Sequence, residues 1–120
     1  VVTRITILAA SRDYIDHATE YEGMPKPVAR EKLRKLRHFD TFLLEQMKLD
    51  NPAAVDIDPS IIQRFFNYLF NGCGAKPATI REYLEVLWSV YAYLYERKLV
   101  NDKLLIFIHQ MLTSEALGPV

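Results

Sequence analysis

Lys76-Pro77-Ala78-Thr79-Ile80-Arg81-Glu82-Tyr83-Leu84-Glu85-Val86-Leu87-Trp88-Ser89-Val90-Tyr91-Ala92-Tyr93-Leu94 is the stretch that decides the fold. Ile80, Leu84, Leu87, Tyr91 and Leu94 recur at spacings of 4, 3, 4 and 3 residues. That period matches the 3.6-residue turn of an α-helix and no strand, so these side chains form one apolar stripe. Two starts compete. Pro77 suits a first helical position, and Thr79 with Glu82 has the spacing of a capping box.

Working outward, the same period recurs on both sides. Asp58-Pro59 pairs a capping side chain with a first-turn proline and predicts a helix carrying Ile62, Phe65, Phe66 and Leu69 inward. Asn71-Gly72 is expected to stop it, because both tolerate the left-handed conformation of a helix end. Further upstream, a helix from near Pro27 to about Lys48 carries Leu33, Leu36, Phe39, Leu43 and Met47, with Phe42 beside them. A first helix over about Thr3 to Tyr21 places Ile5, Leu8, Ile15 and Ala18 on one face, and Gly23, Pro25 and Pro27 mark the loop after it. Asn101-Asp102 can cap a last helix from Lys103 to about Leu112, followed by a loose tail through Gly118-Pro119. Leu104 to Ile108 is too short an apolar run to argue for a lone strand among helices. The expected architecture is all-α, a compact bundle of four or five helices joined by short loops.

Half of the 120 residues are hydrophobic and a quarter are charged, the balance of a globular protein that buries a core without metal or disulfides. Cys73 is the single cysteine and has no internal partner, which fits a reducing cytoplasm. No apolar run approaches the roughly 18–20 residues that cross a bilayer. No signal peptide is visible, and the chain begins with Val, as expected of a processed or excised segment.

Formal net charge is zero, but the charge is unevenly placed. From Lys26 to Lys48 there are seven Lys or Arg against three acids, a net of +4, whereas the first 25 residues carry −2 and Leu49 to Ala75 another −2. Arg30, Arg34 and Arg37 stand at i, i+4 and i+7 and share one helical face, away from the apolar stripe. Such a row of guanidinium groups, at steps of about 5–6 Å, can reach successive phosphates. The same row also reads as a solvated face with Glu31 as partial counter-charge. Thr79 and Arg81 lie at a helix start, whose free N–H groups and partial positive charge suit phosphate, with Lys76 as a further donor. Trp88, Tyr91, Tyr93 and Tyr95 raise a base-stacking reading, but rings at helical spacing are expected to be mostly packed, with one or two, such as Tyr93, outward. His17, His38 and His109 are too scattered for a zinc site, and Cys73 lacks a base and an oxyanion pocket, so neither a metal, nor a cofactor, nor a catalytic site is expected.

Four segments together resemble the core-binding domain of tyrosine recombinases, the phage-type integrases. They are the basic-aliphatic helix Lys32 to Leu44; Asp58-Pro59 through Tyr68-Leu69; Lys76-Pro77-Ala78-Thr79-Ile80-Arg81-Glu82-Tyr83-Leu84; and Leu87 to Val100, with Tyr91-Ala92-Tyr93-Leu94 and the exit Lys98-Leu99-Val100-Asn101. Two positions differ from the family pattern: Asp102 stands where Pro usually follows Asn101, and Lys76 stands where Ser or Thr commonly caps. The resemblance implies a SAM-like domain over residues 28–112, preceded by a helix and linker at 1–27 and followed by a tail at 113–120. It implies a non-catalytic domain that clamps double-stranded DNA for a catalytic domain absent from this chain, and contact with like recombinase subunits on the DNA. Arg30, Arg34, Arg37, Lys76, Thr79 and Arg81 are then the expected DNA-binding residues. The arginines of the second helix would hold phosphates, and Arg81 could read a base edge. The rival expectation is a helical protein-interaction module, favoured by the neutral total charge and by Leu104 to Ile108.

Overall fold

Thr6 decides where the first helix begins. Its hydroxyl oxygen accepts from the Ala9 amide at 3.2 Å, and α1 runs Ile7–Tyr21. The computed structural model describes residues 4–114, so Thr3 and the tail from 115 to 120 lie outside the described residues. Among these, four more α-helices follow: α2 (Lys26–Glu45), α3 (Pro59–Asn67), α4 (Pro77–Glu96) and α5 (Lys103–Leu112). A 3-10 turn occupies Ala54–Asp56 and a π turn Tyr68–Gly72. The described residues hold no strand; Thr6 and Ala53 make one isolated antiparallel bridge. The fold is all-α, as the periodicity requires. The chain divides into two compact units between Asp56 and Ile57.

In the first unit α1 packs against α2. The inward face of α1 is Ile7, Ala10, Ser11, Tyr14, Ile15 and Ala18, not the set that includes Ile5 and Leu8. Ile5 lies before the cap, and its carbonyl accepts from the Ala54 amide at 2.8 Å. The Ile7 amide donates to the Pro52 carbonyl at 2.9 Å, and Arg4 pairs with Asp56, so the segment before the 3-10 turn runs beside the start of α1. Ser11 is buried without cost, because its hydroxyl donates to the Ile7 carbonyl at 2.7 Å.

α2 has Pro27 in its first turn and buries Ala29, Leu36, Phe39, Phe42 and Leu43, together with Lys35. Leu33 is only half-buried, a quarter-turn off the stripe expected of it. The helix stops at Glu45 rather than Lys48. Lys48 adopts φ 58°, and the Leu49 amide turns back to the Leu43 carbonyl at 2.8 Å, leaving Met47 outside the helix.

In the second unit α4 packs against α5, and α3 contacts α5. The stripe Ile80, Leu84, Leu87, Tyr91 and Leu94 is buried throughout, joined by Tyr83, Val86 and Val90. Burying each aliphatic member contributes about 1.5–3 kcal/mol, which fixes the register of α4. α3 buries Ile61, Ile62 and Phe65, while Phe66 is half-buried and stacks on the exposed ring of Phe70, with centroids 6.4 Å apart. Neither Asn71 nor Gly72 takes the left-handed turn at the end of this segment. The chain widens by one residue instead, with the Cys73 amide donating to the Tyr68 carbonyl at 3.0 Å, and the left-handed residue is Gly74 at φ 63°. At the start of α5 the Asn101 side chain accepts from the Lys103 amide at 3.0 Å, whereas Asp102 makes no side-chain cap.

Asp58 caps α3: its carboxylate accepts from the Ile61 amide at 3.0 Å and from the Ser60 hydroxyl at 2.6 Å. The Ser60 hydrogen bond, with the Ile61 amide second, holds the carboxyl below its ordinary value of 3.8. A depressed folded-state value gives stability that is present above the ordinary value and lost as pH falls through the folded one. Asp58→Ala is therefore expected to cost about 1 kcal/mol at neutral pH. Urea melts should show the deficit shrinking progressively below about pH 4.

Candidate nucleic-acid interface

Helical spacing puts Arg30, Arg34 and Arg37 along one side of α2, and all three are exposed. Their local partners differ. Arg34 is engaged with Glu31: its Nε lies 3.1 Å from both Oε1 and Oε2, and its Nη2 lies 2.6 Å from Oε1. The same Oε1 accepts from the Lys35 ammonium at 3.0 Å. Arg30 and Arg37 make no hydrogen bond or ion pair within the described residues.

Lys35 is the unexpected member of this group. Its side chain is only 6% exposed, although Glu31 and Arg34 beside it are open to solvent. A buried ammonium needs an anion within reach, and Glu31, four residues back on the same helix, supplies it. Hydrogen bonds from Arg34 and then Lys35 hold the Glu31 carboxyl down to about 2, so it stays an anion throughout the neutral range. His38 is held below its ordinary value by partial burial first and by the Arg34 charge second, so it adds little positive charge at neutral pH.

The second unit carries the other three predicted residues at the amino end of α4. Pro77 is the first helical residue, and the capping box at Thr79 does not form: Lys76 is the cap residue and offers no side-chain acceptor. The first-turn amides of Ala78 and Thr79 are thus left without a side-chain cap, and Lys76 and Thr79 are exposed around them. Arg81 has a structural use that sequence reasoning missed. It is half-buried, and its Nη1 donates to the Leu112 carbonyl at 2.9 Å, satisfying a carbonyl in the last turn of α5.

Of the five aromatic residues on α4, Tyr83 and Tyr91 belong to the core, and burial pushes the Tyr91 phenol well above its ordinary value. Trp88 and Tyr95, seven residues apart, are 39% and 47% exposed. Tyr93 is half-buried, with the Arg97 guanidinium 3.7 Å from its ring centre. The outward rings are therefore Trp88 and Tyr95 rather than Tyr93. Cys73 is exposed, and no group of three or more His, Cys, Asp or Glu that would suit a metal ion occurs among the described residues.

No family model matches this chain, and no curated protein and no solved structure matches it. Among the described residues no helix is long and apolar enough to cross a membrane.

Arg81→Met removes a charge-assisted bond to a helix end while keeping most of the aliphatic stem. It is expected to cost about 1 kcal/mol in urea unfolding and to speed amide exchange in the last turn of α5. An unchanged exchange pattern there would show that the bond to Leu112 contributes nothing.

Proposed function

We propose that this chain is a duplex-DNA-binding segment of a tyrosine recombinase, without catalytic activity of its own and working in the cytoplasm beside like subunits. One observation carries the reading: three exposed guanidinium groups share one face of α2 in a chain whose total charge is zero. Arginine rows of this kind suit the phosphate backbone, because each planar fork offers paired donors to phosphate oxygens. Each contact also releases condensed counterions, so affinity for a duplex falls steeply with salt. The uncapped first turn of α4, with Lys76 and Thr79 around it, gives the second unit its own phosphate-ready element. Backbone contacts of this type position a protein on DNA and carry no sequence information by themselves.

A second reading, a protein-interaction module, is favoured by the exposed rings of Phe70, Trp88 and Tyr95 and by Ile106 at 51% exposure. Apolar surface of this kind associates by burial, which salt does not weaken.

The test is titration of a mixed-sequence duplex at several salt concentrations, with light scattering of the free protein beside it. Wild type is expected to bind with a log–log salt slope of about −0.9 for each neutralised phosphate. Arg30→Ala/Arg34→Ala/Arg37→Ala is expected to lose at least about tenfold in affinity at ~0.1 M salt and to flatten the slope, with an unchanged helical circular dichroism spectrum. Wild-type affinity in that variant overturns the assignment. Salt-independent self-association without DNA favours the second reading.

A further inference from the structure

The duplex-binding reading treats the three arginines of α2 as equivalent, and their surroundings do not. Resting on that reading, we propose that Arg30 and Arg37 are the phosphate-contacting pair of α2, and that Arg34 is withheld from phosphate by Glu31, which the buried Lys35 pins in place.

For Arg34 to hold a phosphate with its Nε and Nη2 fork, both donors must first leave Glu31. An exposed ion pair alone would yield readily, since such pairs are weak and screened by salt. This one has a second anchor. Glu31 Oε1 is also bonded to Lys35, so swinging the carboxylate away would break a second bond, made by a lysine whose side chain is only 6% exposed. If the carboxylate stays instead, a phosphate arriving at Arg34 meets a fixed negative charge beside the guanidinium. Either route removes most of the benefit of the contact. Arg30 and Arg37 have no such competitor within the described residues and can turn their full donor sets outward. They stand seven residues apart, about 10 Å along the helix axis at 1.5 Å per residue. The face therefore presents two phosphate contacts at that separation rather than three in close succession.

The experiment measures duplex affinity against salt for wild type, for each single arginine-to-alanine variant, for Glu31→Gln, and for Glu31→Gln combined with Arg34→Ala. Circular dichroism checks the fold of each. Arg30→Ala and Arg37→Ala are each expected to lower the salt slope by up to about 0.9, and Arg34→Ala by less than about 0.3. In the Glu31→Gln background Arg34 loses its carboxylate competitor, and removing it should then cost as much as removing Arg30 or Arg37. Because Glu31→Gln also removes the carboxylate bonded to Lys35, the same pair of measurements is repeated in Glu31→Gln/Lys35→Met. An Arg34→Ala effect equal to the other two in the otherwise wild-type chain overturns the inference and leaves duplex binding standing. So does an Arg34 that stays silent after Glu31 is neutralised. A wild-type chain that fails to bind duplex, or one indifferent to all three arginines, removes both readings together.

Discussion

A buried lysine side chain underlies the charge pattern of α2. Lys35 lies among the residues that α2 turns inward, next to Leu36 and four before Phe39, and its side chain is almost fully covered. Its methylene stem can join the apolar stripe, but its charge cannot be left without an anion. The helix geometry leaves one carboxylate one turn away, that of Glu31, and Glu31 in turn lies one turn from Arg34. A packing requirement in the core is thereby transmitted, through a single carboxylate, to the charge pattern that α2 shows to solvent. Three arginines that look alike in the sequence acquire different surroundings from one lysine that is not counted among them.

What could be read from sequence followed how local its cause was. The α4 stripe is fully legible because spacing alone decides it, and each of its members is large enough to be felt in the core. The cap at Asp58 is legible too, since the acceptor, the proline and the capped amide lie within four residues. The inward face of α1 is not. It depends on the helix starting after Thr6, and Ile5 is drawn off by a hydrogen bond to Ala54, almost fifty residues away. The end of α2 fails for a similar reason: Lys48 carries no glycine signal, yet it takes the left-handed conformation that lets Leu49 turn back to Leu43. The candidate site divides in the same way. Exposure of Arg30, Arg34 and Arg37 follows from the period of the helix, whereas the capture of Arg34 follows from the burial of Lys35. Glu31 and Lys35 stand four residues apart, but nothing in that spacing says that one partner lies inside.

The second unit shows how helix ends use side chains that sequence reading assigns elsewhere. Arg81, placed by its position near a helix start among the expected DNA-binding residues, answers a carbonyl of α5. Lys98 ends α4 at φ 61°, with its own amide bonded to Tyr95 and the next amide, Leu99, reaching back to Leu94. That is the Schellman arrangement, in which a left-handed residue lets two orphan carbonyls be satisfied. A non-glycine residue in that place costs backbone energy. The cost is accepted where the hydrogen bonds and the following Leu99 hold the turn. Basic residues in this unit thus serve helix termination as well as surface charge, so a tally of Lys and Arg overstates what is available to an anionic partner.

For the same reason the zero total charge decides little about DNA. At physiological salt an exposed charge is largely screened beyond about 8 Å. A duplex lying against α2 responds to the charges within that distance, not to the acids carried elsewhere in the chain. The segment from Lys26 to Lys48 carries +4 formally, but Lys35 lies inside and Glu31 stands among the arginines. The relevant quantity is therefore smaller than the segment sum and larger than the chain total. It is set by which guanidinium groups remain open at each turn of α2, and so by the same side-chain packing that closes the core beneath them.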